Sequence, residues 1–193
     1  MPVADPHRVI LTGENPFLRL SEKDGDPNST DASYWRILFC PAGPGHVLYL
    51  KSELTENKWR IYSDNIAMAR WLQQTVQGML NAELKDPSIP VIDADFSKAG
   101  DPRYYWTEYV SAADAEISLT WHDIGDPLLI HTEPNQAPNP RPYGVCTVLV
   151  PALSGRLTLN GQQARGKPWP RDREGRPFST SALAFSESWT ETR

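Results

Sequence analysis

Hydrophobic and polar positions along the chain alternate mostly with a period of two. Short runs of this kind occur at His7–Thr12, Tyr34–Cys40, His46–Ser52, Asn57–Ser63, Val91–Phe96 and Ser179–Glu191. Such runs, bounded by Gly, Pro, Asn and Asp, predict β-strands. Pro41 to Gly45 reads as a rigid five-residue hairpin loop, and Gly144–Val150 with Gly155–Asn160 reads as a further hairpin. Only one stretch changes period. Ala69, Leu72, Val76, Met79, Leu80 and Glu83 fall on one stripe at helical spacing, predicting a helix near 65–84. Ser63 and Asp64 are its expected N-caps, and Pro87 and Pro90 prevent its continuation. Its expected role is to plug one end of the sheet.

Strand follows strand at short spacing, so the expected fold is mainly β. It is an antiparallel β-barrel or bent sandwich, lipocalin-like in architecture, with ten or eleven strands and one helix. The whole of 1–193 reads as a single domain. Two long Pro-rich loops interrupt it, at 133–142 with four prolines and at 165–177 with three. Loops of this length in a compact domain are often binding loops.

The densest chemistry lies between Tyr104 and Glu133, which reads as three successive strands: YYWTEYV, EISLTWH and LLIHTE. A turn at Ser111–Asp114 would pair Tyr109 with Glu116 and Tyr105 with Thr120. A two-residue turn at Gly125-Asp126 would pair Thr120 with His131 and Ser118 with Glu133. Alternation then gathers Tyr105, Tyr109, Ser118, Thr120, His122, His131 and Glu133 on one face. The opposite face, with Trp106, Ile117, Leu119 and Trp121, is apolar except for Glu108.

Composition narrows the chemistry. Hydrophobic residues make up 39% and charged residues 22%, as in a globular chain. The seven tryptophans suit a broad core or a flat-walled ligand pocket. The net charge of −5 argues against nucleic-acid binding. The basic run Arg165, Lys167, Arg171, Arg173 and Arg176 reads as a solvated loop, with an anion clamp as the minor reading. Cys40 and Cys146 sit in apolar runs and read as small hydrophobes. With no signal-peptide pattern and no apolar run long enough for a membrane span, a soluble cytoplasmic protein is expected.

Phosphate-loop, nucleophile-elbow, zinc-helix and dinucleotide patterns are all missing from the sequence. A metal at His122, His131 and Glu133, with His46 or Glu116 nearby, is a minor option, so no cofactor is expected. The leading expectation is a protein that binds a small, partly apolar or aromatic molecule. It would convert that molecule by metal-independent acid–base chemistry, as an isomerase, cyclase, lyase or hydrolase. His122 and His131 would transfer protons, Glu133 would orient a histidine, and Tyr105 and Tyr109 would donate to a developing oxyanion. Ser118, Thr120, Trp169 and Arg141 would contact the substrate. The alternative is a non-catalytic interaction module or subunit of a larger complex. A homodimer is compatible with both.

Overall fold

The computed structural model describes residues 3–136, 140–173 and 175–192. It is mainly β. The strands are β1 (Ala4–Glu14), β2 (Phe17–Leu20), β3 (Thr30–Phe39), β4 (Gly45–Ser52), β5 (Arg60–Ser63), β6 (Val91–Asp101), β7 (Tyr105–Ala112), β8 (Ala115–Ile124), β9 (Leu128–Thr132), β10 (Gly144–Leu159), β11 (Gln162–Gln163), β12 (Pro170–Arg173), β13 (Arg176–Ser179) and β14 (Ser181–Thr192). A twelve-stranded sheet runs β1-β14-β2-β3-β4-β5-β6-β7-β8-β10-β11, with β9 paired to β10. Two further pairings, β14 with β10 and β1 with β3, join distant parts of that path. β12 and β13 form a separate hairpin within the second Pro-rich loop.

Both faces of this sheet carry apolar cores. On one face Leu18, Leu48, Leu50, Ile117, Leu119, Trp121 and Leu157 form one contiguous cluster. Its members come from strands well separated in the strand order, β2 and β4 against β8 and β10, so the sheet bends to bring them together. The Trp121 indole ties the curl by donating to the Phe17 carbonyl at 3.0 Å. On the other face Trp35, Val47, Tyr49, Ile61 and Trp189 pack against Met68, Ala69, Leu72 and Val76 of the helix. Strands β3 to β5 are therefore buried on both sides, which is why YWRIL and VLYL read as nearly continuous apolar runs.

The helix differs from its expected form. α1 spans Ile66–Leu72, widens into a π turn at Gln73–Gln77 and ends with Gly78–Leu80, followed by a 3-10 turn at Ala82–Lys85. Its cap is Asn65, whose side chain accepts the Met68 N–H at 3.1 Å. The buried Gln73 amide donates to the Leu84 and Asp86 carbonyls at 3.0 and 2.9 Å, which holds the following turn against the helix. This segment lies on a sheet face rather than plugging an end. It is the crossover between β5 and β6, which pair in parallel, and parallel neighbours need such a connection. Among the described residues, no helix is long and apolar enough to cross a membrane.

Two expected turns are absent. Gly144–Leu159 is one sixteen-residue strand, not a hairpin. Its inner half, Gly144–Pro151, pairs with β14, while Ala152–Leu159 pairs with β8. Gly155 marks a close approach instead of a turn: a Cβ there would come within 2.6 Å of Leu18 Cδ1. The Gly125-Asp126-Pro127 segment does not reverse the chain either. Ile124 pairs with Ala152 and Leu128 with Leu149, so β8 and β9 lie end to end along the same edge of β10. The Gly125 N–H donates to the Pro151 carbonyl at 2.8 Å, and Asp123 takes φ 51°, so the segment forms a step between two collinear strands.

Candidate functional site

The step at Gly125 divides the expected face in two. Its first half survives. β7 and β8 turn at Ala112–Ala115, which pairs Tyr105 with His122, Thr107 with Thr120 and Tyr109 with Ser118. This register is displaced by two residues from the expected one, and an even displacement keeps every side chain on its face. β10 adds Arg156 opposite Thr120. Ser118 and Thr158 share a hydrogen bond at 2.7 Å, and the Tyr105 and His122 rings lie 6.4 Å apart. The face is the outer one: Tyr105 and Tyr109 are 45% and 44% exposed, whereas Leu119 and Trp121 behind them are fully buried. A shallow depression of about 410 Å³ lies over it.

His131 and Glu133 are elsewhere. His131 pairs with Cys146 and His122 with Ser154, eight positions apart along β10, or roughly 26 Å. The three-residue metal set therefore does not assemble. Among the described residues no group of three or more His, Cys, Asp or Glu is arranged to hold a metal. His131 Nε2 lies 3.6 Å from Glu133 Oε1 at the surface, and Glu133 Oε2 accepts the Ala4 N–H at 2.8 Å, so this carboxylate anchors the start of β1. His46 is bound to Asp64 at 2.6 Å and stacks on Phe96, and Glu116 accepts the Ser111 hydroxyl. Of the two cysteines read as small hydrophobes in apolar runs, Cys40 is buried and Cys146 is exposed.

Trp169 also has a structural task. Its indole donates to the Ser21 carbonyl at 3.0 Å and its ring lies 4.3 Å from the Lys167 ammonium, which staples the second Pro-rich loop to the end of β2. Arg141 leads to something different. Its guanidinium lies 5.2 Å over the Trp189 ring and lines a cavity of about 470 Å³, the size of a small-molecule site.

This cavity lies on the helix-bearing side of the sheet. Phe17, Leu80, Ile130 and Val145 supply apolar wall, and Asn15, Thr132 and Arg173 supply polar wall. Its most unusual group is Glu187, only 5% exposed, on β14. Strand alternation places Glu187 and Trp189 on one face, and the indole donates to Glu187 Oε1 at 2.7 Å. The Asn15 amide reaches the same oxygen at 3.5 Å. Burial pushes the Glu187 carboxyl above the usual range, while these hydrogen bonds and the Arg141 charge hold it back. Thr147 faces Glu187 across the strand pair, yet its buried hydroxyl makes no well-formed hydrogen bond. Burial lowers the proton affinity of Arg141, Glu187 opposes that, and the Arg173 charge adds to it.

A second buried acid lies in the curled core. Glu108, the exception on the apolar face, is 1% exposed and accepts the Trp106 indole N–H at 2.8 Å. Burial pushes its carboxyl up, partly offset by Trp106, the neighbouring Tyr34 hydroxyl and the Lys98 charge. The Tyr34 phenol is in turn driven far up by burial and by Glu108.

Sequence reasoning reached Arg141 and noticed Glu108 but missed Glu187. A readable signal existed: a Glu and a Trp two positions apart on a strand, WTE at Trp106–Glu108 and ESW at Glu187–Trp189. In both, the indole serves a carboxylate on its own face. Comparison with family models, curated proteins and solved structures found no match to this chain.

Proposed function

We propose that the protein binds a small, partly apolar or aromatic molecule in the cavity beside Glu187, and that Glu187 transfers a proton to or from it. The observation that carries this reading is a buried carboxyl, raised by desolvation, bordering a cavity of about 470 Å³. A raised, buried carboxyl beside a cavity is a candidate general acid or base, and perturbed acids in clefts concentrate at functional sites. The reaction class stays within metal-independent acid–base chemistry: isomerase, cyclase, lyase or hydrolase. The proposed scaffold is an antiparallel β-barrel, with a bent sandwich as its alternative, in a soluble cytoplasmic chain. The pairing of β10 with both β8 and β14 supports that closure.

The test is a thermal-shift screen of small aromatic and alicyclic compounds against the wild type and Ile130→Trp, which fills the cavity from β9. Compounds that raise Tm in the wild type should lose most of that shift in Ile130→Trp. Equal shifts in both proteins would place binding elsewhere.

One observation favours the interaction-module reading. Tyr104, Tyr105 and Tyr109 expose 69%, 45% and 44% of their surface beside His122 and Arg156, and exposed tyrosine and arginine are enriched at protein interfaces. A paired-sheet homodimer through this face would dissociate in the Tyr105→Glu, Tyr109→Glu double variant. Sedimentation velocity reads this directly, and a wild type that is monomeric at high concentration would remove the dimer.

A further inference from the structure

The chemistry of the cavity's occupant can be taken further, resting on the proposed binding role of that cavity. The basic run in the second Pro-rich loop is mostly consumed by local partners. Arg165 lies 3.5 Å from Glu22 and 3.9 Å from Glu53, Arg171 pairs with Asp24 at 2.7 Å, and Lys167 sits over Trp169. Arg19, which also lines the cavity, pairs with Asp31 at 3.4 Å. Two cavity-lining cations have no such carboxylate partner, although Arg141, like Lys167, also lies over an indole, that of Trp189. Neither Arg141 nor Arg173 forms an ion pair with a described residue, and the Arg173 charge acts unfavourably on Arg141.

Among the described cavity-lining residues, only Glu187 opposes them. Two guanidiniums against one carboxyl leave a surplus of one positive charge when Glu187 is ionised, and of two when it is protonated. A partly buried cation without a counter-charge is unfavourable, and its attraction for an anion grows as water is excluded. The planar guanidinium fork matches a carboxylate with two parallel hydrogen bonds. The remaining wall, with Phe17, Leu80, Ile130 and Val145, is apolar and suits a hydrocarbon or aromatic body. One negative charge neutralises the surplus when Glu187 is ionised and halves it when Glu187 is protonated.

We infer that the cavity takes an amphipathic organic monoanion, a carboxylate on a partly apolar or aromatic body, with its carboxylate held between Arg141 and Arg173. The apolar body lies against Phe17, Leu80 and Ile130. Thr147 supplies a further hydroxyl near the acid end of the cavity.

The test compares two probes of the same shape by isothermal titration calorimetry on the full chain at low ionic strength: 2-naphthoate and the neutral 2-naphthalenemethanol. Naphthoate should bind at least tenfold more tightly than the alcohol. Arg141→Gln and Arg173→Gln should each narrow that gap, the double variant should close it, and Arg141→Lys should retain part of it. Circular dichroism and Tm of each variant separate lost folding from lost charge. If both probes bind the wild type equally, or the gap survives the double variant, the monoanion assignment falls while the cavity remains a binding site. If neither probe binds at millimolar concentration, the cavity reading falls with it.

Discussion

Glu108 and Glu187 are built with the same local device and end in different situations. Each sits on a strand, nearly excluded from solvent, with the indole of a tryptophan two residues away donating to it. Burial raises both carboxyls. The difference lies across from them. Glu108 faces Tyr34 beside the apolar core, whereas Glu187 faces Thr147, Arg141 and an open cavity. The indole–carboxylate pair makes a buried acid tolerable in either place. Access decides whether that acid can meet a ligand.

The sharpest way to break the comparison is truncation. Glu108→Ala leaves the Trp106 N–H without its acceptor and opens a void, and should destabilise the fold by about 3 kcal/mol in urea unfolding. Glu187→Ala should cost about half as much, because water can enter the cavity and satisfy the Trp189 N–H. Equal losses would mean that the two sites do not differ in access.

A pH series sharpens it next. A carboxyl raised in the folded state holds its proton longer than in the unfolded chain. Its contribution is therefore fully present below the unfolded pKa and is lost as pH rises through the folded value. Stability should fall across that window, and Glu108→Gln with Glu187→Gln together should flatten the decline. Each substitution alone should remove part of it, and an unchanged slope would show that neither acid is raised.

Trp189→Phe and Trp106→Phe probe the shared donor. Each should cost about 1 kcal/mol by hydrogen bonding alone and drive its carboxyl further up, visible as a higher titration midpoint of the acid C=O band by infrared spectroscopy. The smallest effect separates the sites. Arg141→Gln should raise the Glu187 midpoint slightly and leave that of Glu108 in place, because Arg141 acts on Glu187 alone of the two.

Much of the fold was legible because alternation is local. The strands, the helix period and the division of Tyr104–His122 into a polar and an apolar face all follow from side-chain spacing, and the face survived a two-residue error in register. What was not legible depends on distant partners. Nothing near Gly125 reveals that β10 offers one edge to both β8 and β9, so His131 and Glu133 were grouped with the wrong strand. Nothing near Pro151 reveals that Gly144–Leu159 stays extended, because its partners lie on β8, β9 and β14. The helix period was clear, yet the parallel β5–β6 pair that determines its place was not. Glu187 was hidden because the cavity beside it draws on segments that meet only in three dimensions: Phe17, Leu80, Ile130 and Arg141 among them.

The end-to-end placement of β8 and β9 has a bearing on how this architecture can evolve. Among the described residues β9 pairs with β10 alone, and it carries Ile130 and Thr132 into the cavity wall. Its position is set by the short step from Asp123 to Pro127. Adding or removing two residues in that step would slide β9 by about 7 Å along β10 while keeping every side chain on its face. The rest of the sheet would keep its pairings, as would the Tyr105–His122 face. The step is thus an adjustable length in the chain, through which the breadth of the cavity can be retuned by small insertions and deletions without rebuilding the scaffold around it.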